Sequence, residues 1–547
     1  MSRPLADVFP LMDGKILGAT LFGSQAHLVR AETRTGRGLS RVILVGMPDA
    51  VAREARERLP SAFEQFDLPF PKGKVLFNLV PAQMPKCGLP LDLALAVSLL
   101  VEEGLVPRPK KAILFLAELD LKGRLGPPAR GTLLAALAAI QEGCMTLITA
   151  PSAATEAALA PGVEAFGLED LGEVVAYLKE PGSFRPMEAG KDAGQASERL
   201  DKLPRMDDLR GQPHARRAAT LALAGRHALW MQGPPGTGKS MLARRLAHLL
   251  PDLAPERALE VGMIEALLRP LAGLSLRPPF RAPHTSASAQ ALLGGGTPLR
   301  PGEIARAHGG ILFLDEIPEF ARPVLEGLRQ PLEEGEVRLQ RAREWATYPA
   351  QVQLVATSNP CPCGYATHPK MPCRCTPHKR QAYAQRVSGP LRDRFDLFVE
   401  MGPVEAEALD GPVTGPTDEA LRQQLRQTRA FQEAQAVQRG FRLSSEASVE
   451  VLQQAGIAVE ARRMLRQAVN TLPLSGRGLL RCLRVARTAA DLDRSPGIRV
   501  EDVRMALSYR PLPAEEEATI RPLRLTPRAT PPQPPKDASH SPRGSAN

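Results

Sequence analysis

An eight-residue stretch, GPPGTGKS from Gly233 to Ser240, constrains this chain more than any other. It meets every fixed position of the phosphate-loop pattern G-x-x-x-x-G-K-[ST], whose Gly-rich backbone curls its N–H groups around phosphates. Gly233, Pro234, Pro235, Gly236, Thr237 and Gly238 are the expected cradle. Lys239 is expected to reach the β- and γ-phosphates, and the Ser240 hydroxyl to ligate Mg²⁺. The flanks agree. The apolar run from Ala228 to Met231 predicts a buried strand, and Met241 to Leu250 has helical spacing closed by Pro251. Strand, loop and helix in that order predict a parallel α/β core that binds ATP with Mg²⁺.

A chain of 547 residues is too long for one hydrophobic core, and about three domains are expected. No apolar run approaches the ~18 residues of a membrane span, so no membrane partner is expected. Met1 to Lys15 lack a basic leader with an apolar core, which points to a cytoplasmic protein. A net charge of +11 favours a polyanionic partner such as DNA, although a diffuse basic surface serving solubility has the same composition.

From Val42 to about Leu178 short β-branched runs alternate with helix-like segments, as in an α/β domain, which is expected to span residues 1–180. Residues 181–198 are rich in Gly, Pro, Ser, Ala and charge and are expected to be a linker. The ATPase core then spans 199–402, a lid of periodic helical segments 403–511, and a Pro- and Ser-rich unfolded tail 512–547.

Within the core, HGGILFLDE from His308 to Glu316 predicts an apolar strand ending in two carboxylates. Asp315 is placed to hold Mg²⁺, and Glu316 to polarise the attacking water. A further strand, Val352 to Ala356, delivers Asn359, whose amide could hold that water or the γ-phosphate. Two segments exceed a minimal fold. Arg281 to Glu303, with the triplet Gly294 to Gly296, predicts a projecting loop. Val337 to Asn359 predicts a hairpin with Arg341, Arg343 and Trp345 at its tip, cations and a stacking surface suited to DNA. Cys361, Cys363, Cys373 and Cys375 form C-P-C-x9-C-R-C, a candidate zinc set in which His368 or His378 could replace a thiolate and with which disulfides compete.

Several stretches carry resemblances. LVGMPDAVAREARERLPSAF with GKVLFNLVPAQMPKCGLPLDLALAVSLL resembles the domain shared by Lon proteases, RadA and magnesium-chelatase-like ATPases, which has a ribosomal-protein-S5-like fold. Where Lon carries its serine nucleophile this chain has Pro90, and Cys87 nearby has no close His, so a non-proteolytic scaffold is expected. DLRGQPHARRA resembles the segment that packs beside adenine in AAA+ ATPases, and Asn359 resembles their sensor-1 residue. In SGPLRDRFDLFVEM, Arg394 matches the arginine that reaches a neighbouring subunit's ATP in the magnesium-chelatase and MCM branch, with Arg392 a competitor. The two extra segments resemble that branch's pore-lining inserts. Arg477 matches sensor 2, with Arg481 and Arg484 as competitors. Together with NPCPCGY and RVARTAADL, these motifs resemble the bacterial ComM/YifB family of magnesium-chelatase-like AAA+ proteins over about residues 3–510. That resemblance implies a homohexameric, ATP-driven DNA motor that promotes branch migration during natural transformation. A chelatase-type motor subunit acting on a protein partner is the alternative.

Overall fold

The computed structural model describes residues 14–46, 49–84, 86, 88–190, 205–206, 209–341, 344–404, 415–454, 456–471 and 475–510. Pro85, Cys87, Arg343, residues 191–198 of the expected linker and the tail from 512 lie outside the described residues.

The N-terminal unit is a seven-stranded mixed sheet. A hairpin opens it, β1 (Ile16–Phe22) against β2 (Gln25–Gly36), with Ala19 opposite Leu28. β3 (Arg41–Val45), β4 (Lys74–Val80) and β5 (Ile113–Leu116) follow, then a small ribbon of β6 (Glu118–Leu119) and β7 (Leu125–Gly126), then β8 (Thr146–Thr149) and β9 (Glu164–Gly167). The sheet order is β3-β4-β2-β1-β5-β8-β9, antiparallel only where β2 meets β1 and β4. The helices Asp49–Glu64 and Asp92–Glu102 cover one face, and Thr132–Gln141 with Pro151–Ala157 covers the other. Residues 92–100 are buried throughout, because this helix is apolar on nearly all sides and sits inside the unit.

The central unit carries five parallel strands: β10 (Leu229–Gln232), β11 (Phe280–Arg281), β14 (Ile311–Leu314), β17 (Gln353–Ser358) and β18 (Leu397–Glu400), in the order β11-β14-β17-β10-β18. Every residue of β14 and β17 is buried, as strands covered on both faces require. The chain leaves β10 for the far edge and returns, so β10 and β17 flank the point where connections diverge, the usual ligand position of open α/β sheets.

Two short hairpins stand apart from this sheet: β12 (Gly294–Gly295) with β13 (Arg300–Pro301), and β15 (Glu336–Arg341) with β16 (Glu344–Pro349). Arg281 and Glu303, at the two ends of the first inserted loop, close it with a bidentate ion pair of 2.6 and 2.8 Å.

C-terminal helices span Asp418–Arg439, Val449–Gln454, Val459–Thr471, Gly476–Leu492 and Val500–Ser508. Asp491 ties three of their turns together, accepting from Arg439 at 2.8 Å and from Arg487 at 3.0 Å, both guanidinium groups being buried.

The N-terminal unit and the core share one apolar cluster, in which Leu21 and Leu28 meet Ala346 and Tyr348 of β16. Glu156, 1% exposed, accepts the Leu133 N–H at 3.2 Å from its own unit and the Leu271 N–H at 3.0 Å from the core. A buried carboxylate with two backbone donors fixes the two bodies against each other.

Candidate nucleotide site and arginine edge

The phosphate loop leaves the end of β10 and enters the helix Lys239–Leu249. Gly236 and Gly238 sit at φ +79° and +89°, where a side chain would strain the backbone, so the turn depends on glycine. Lys239 is buried, and its ammonium donates to the carbonyl oxygens of Gly233 at 2.6 Å and Pro234 at 2.8 Å and to Asn359 Oδ1 at 3.3 Å. Burial lowers its pKa, against the opposing pull of Asp315 and Glu316.

The end of β14 lies beside the loop. Ser240 Oγ donates to Asp315 Oδ1 at 2.8 Å, and Thr357 Oγ1 donates to the same oxygen at 2.5 Å. Glu316 follows at φ 52° and ψ 52°, a left-handed conformation that costs a non-glycine residue of order 1 kcal/mol. Thr357 holds it there by accepting the Glu316 N–H at 2.9 Å, and Asn359 Nδ2 reaches Glu316 Oε1 at 3.4 Å. Thus Lys239, Ser240, Asp315, Glu316 and Asn359, read from three separate motifs, meet in one place. Thr357 joins them as a positioning residue that sequence reading passed over; its signal was only a polar side chain one residue inside the strand end. Ser240 and Asp315 present two hard oxygen donors side by side, a set that fits Mg²⁺. Gln212, at the start of the helix Pro213–Gly225, bridges the Gly402 carbonyl at 2.6 Å and the Thr237 carbonyl at 3.5 Å.

A second charged region borders a cavity of about 350 Å³ lined by Arg226, Glu333, Arg394, Glu446, Arg481 and Arg484 among others. Arg394 pairs with Glu333, which is itself 58% exposed. Arg481 donates to the Arg394 carbonyl at 2.9 Å and to Asp396 Oδ1 at 2.8 Å. Burial would raise the Asp396 pKa, but His227, Arg481 and the Ala228 N–H outweigh it and hold the carboxyl well below the usual carboxylate range. Of the three arginines competing for the sensor-2 place, Arg481 is committed to this internal pair. Arg484 lines the cavity with its Nε on the Ala447 carbonyl at 2.9 Å, and Arg477 is exposed on the first turn of the helix Gly476–Leu492. Arg392 lies over the Trp230 ring at 5.9 Å.

The four cysteines converge. Their Sγ atoms lie within 4.8 Å of one another, with Cys361 3.4 Å from Cys363 and both 3.6 Å from Cys373. Tetrahedral Zn²⁺ with ~2.3 Å Zn–S bonds needs sulfurs about 3.8 Å apart, so the cage fits that ion. Backbone N–H groups of Tyr365 and Arg374 pull the Cys363 thiol down to about 6. Against the Cys375 N–H, which lowers it, burial and the sulfurs of Cys363 and Cys361 push Cys373 up to about 11. A cation would resolve that mutual repulsion. His368 is occupied elsewhere, its Nδ1 accepting from Lys370 N at 3.1 Å and Met371 N at 2.9 Å.

In the β15–β16 hairpin Arg341 is exposed and Trp345 is 58% exposed, while Ala346 and Tyr348 alternate inward onto the N-terminal unit. Trp345 lies opposite Gln340, one step down the arm from the turn.

Three family profiles match successive parts of the chain: subunit ChlI of Mg-chelatase over residues 31–153, magnesium chelatase subunit ChlI over 205–409, and its C-terminal region over 415–510. The chain is also 37% identical over 498 residues to competence protein ComM of Haemophilus influenzae, a match covering 89% of this chain and 95% of that protein. It belongs to the ComM/YifB family of magnesium-chelatase-like AAA+ proteins. Protein YifB of Escherichia coli is 36% identical over 500 residues, covering 89% of this chain and 95% of its own length. An uncharacterized protein of Mycobacterium tuberculosis is 39% identical over 512 residues, 91% of this chain and 98% of that protein. For a member of this family, the mixed α/β units with parallel sheets and the helical C-terminal region are the family's architecture. Among the described residues, no helix is long and apolar enough to cross a membrane.

Proposed function

We propose that this chain is the subunit of a cytoplasmic, ATP-driven homohexameric DNA motor that drives branch migration in recombination intermediates as incoming single-stranded DNA is integrated during natural transformation. The observation that carries this reading is the near full-length similarity to a protein named for competence. Gly233 to Lys239 cradle the ATP phosphates, and Lys239 neutralises their charge. Ser240 and Asp315 would hold Mg²⁺, which when bound offsets the charge of the phosphate oxygens. Glu316 orients and deprotonates the attacking water, and Asn359 fixes the position of Glu316 and of that water. Arg394, released from Glu333, stabilises transition-state charge on the ATP of a neighbouring copy, and an arginine from Arg477, Arg481 and Arg484 completes that edge as sensor 2. Arg481 and Arg484 both line the cavity, and the pairing of Arg481 with Asp396 favours Arg484 for that role.

Arg341, Arg343 and Trp345 of the hairpin contact DNA phosphates and bases without reading sequence. The four-cysteine cage takes a structural Zn²⁺. The ChlI profiles favour a second reading, a chelatase-type motor subunit whose partner is a protein. ATP hydrolysis measured with and without branched or single-stranded DNA separates the two: several-fold stimulation by DNA is expected, and a rate indifferent to DNA would favour the protein partner.

A further inference from the structure

From Asn359 to Arg392 the sequence contains no Asp or Glu, while it contains Lys370, Arg374, Lys379, Arg380, Arg386 and Arg392. Lys370, Arg374, Lys379 and Arg380 are all exposed, and the sulfur cage draws the loop 364–372 and the helix Pro377–Ala384 into one module. Among exposed large apolar side chains this module offers only Met371, so its outer face is built for charge rather than for apolar docking.

Its inner side touches the nucleotide site at three points. Cys361 follows Asn359 by two residues. Gly364, at φ +85°, lies so close to the phosphate loop that a Cβ there would come within 2.6 Å of Pro235 Cδ. Arg386 Nη1 donates to the Pro318 carbonyl at 3.3 Å and to Glu319 Oε2 at 3.0 Å, in the turn that follows Glu316, and Tyr383 is buried beside Glu319.

We propose that the cysteine module is a second nucleic-acid contact, gripping phosphates through Lys370, Arg374, Lys379 and Arg380, and that it reports their occupancy to the ATP site through Gly364 and Arg386. The inference deepens the DNA-motor reading and rests on it. A phosphate backbone is the occupant this module fits, because four exposed cations in a stretch without Asp or Glu attract a polyanion. A Zn²⁺ held by the four thiolates would make the module stiff, so that a load on it is passed inward to Pro235 and Pro318 instead of being absorbed in the loop.

The test measures the ratio of ATPase rates with and without a single-stranded oligonucleotide, together with the salt dependence of oligonucleotide binding. In K370A/R374A/K379A/R380A the several-fold ratio is expected to fall to near 1, and the salt slope to flatten by up to about 3, at ~0.7 per lost phosphate contact. R386A is expected to keep most of the binding while losing the stimulation. In the unsubstituted protein the oligonucleotide should slow amide exchange across residues 364–386 and around Pro235, a measurement that no folding defect can confuse. A quadruple variant with the parent's ratio and slope, an R386A protein stimulated like the parent, or protection confined to the β15–β16 hairpin would overturn the proposal. A parent that DNA does not stimulate at all overturns the motor reading first, and this one with it.

Discussion

At the nucleotide edge the charged groups are positioned by neutral partners, whereas at the arginine edge they are positioned by carboxylates. Lys239 rests on two carbonyls and an amide, Asp315 on the hydroxyls of Ser240 and Thr357, and Glu316 on the Thr357 hydroxyl and the Asn359 amide. Arg394 rests on Glu333 and Arg481 on Asp396. Neutral partners fix geometry without cancelling charge, so the first edge keeps its field for phosphate and metal. The second edge divides its labour. Asp396 is buried and, with the half-buried Arg481, forms the mount, while Arg394 is paired with an exposed acid, the cheaper partner to give up.

The sharpest way to break this contrast is at the first edge. Lys239→Ala and Glu316→Gln are both expected to lose turnover by roughly 10³-fold or more, with Glu316→Gln still binding ATP because Lys239, Ser240 and Asp315 remain. Normal hydrolysis by either protein, measured as phosphate release, would remove the site assignment. Next comes the division between copies. Arg394→Ala should bind nucleotide normally yet hydrolyse it ~10³-fold more slowly, and mixing it with the Lys239→Ala protein should restore part of the rate through hybrid interfaces. No recovery on mixing would argue against a finger that acts between subunits.

Smaller in rate but large in stability is Asp396→Asn, which strands Arg481 and should lower unfolding free energy by about 3–5 kcal/mol at neutral pH. The sign of its pH dependence follows from the depressed carboxyl: the stabilisation is present above the ordinary carboxylate value of 3.8 and is lost as pH falls through the lower folded value. Denaturant melts of parent and variant should therefore converge only under strong acid, and a gap that closed near pH 6 would contradict the pairing. Last, one Zn²⁺ per chain is expected by elemental analysis and should be lost in Cys361→Ser with Cys363→Ser, which lowers the melting temperature. A metal-free parent that melts at the same temperature with and without added zinc would exclude the structural ion.

The nucleotide edge was legible because each of its parts is contiguous. A phosphate loop, a strand ending in Asp315 and Glu316, and a strand ending near Asn359 are patterns of a few residues, and parallel α/β topology brings strand ends together. The arginine edge was readable only as candidates. What separates Arg481 from Arg484 is the buried Asp396 far back along the chain, and periodicity carries no information about such a pair. Within the N-terminal unit the alternation of elements was recognised from Val42 onward, and the β1–β2 hairpin at the middle of the sheet was not. ILGATLF is an apolar run broken only by Thr20 that period alone cannot assign, and Gly23–Ser24 is a modest turn signal. The inserted hairpin was recognised, but its second arm ends at Pro349 instead of running on to Asn359, because Gln353–Ser358 joins the central sheet; Trp345 lies one step below the turn, and the inward face was not foreseen. Ala346 and Tyr348 are buried in a cluster that the N-terminal unit shares with core residues such as Leu299 and Leu339. Glu156 and Gly364 belong to the same class, since their importance lies entirely in partners distant in sequence.

The central claim is that ATP hydrolysis at this site moves DNA. Strand displacement from a three-stranded branched substrate, followed by gel or fluorescence with ATP, without ATP, and with the Lys239→Ala protein, addresses it most directly. The account predicts displacement by the parent with ATP and none in the two controls. Equal displacement with and without ATP, or none under any condition from a protein that hydrolyses ATP, would contradict it.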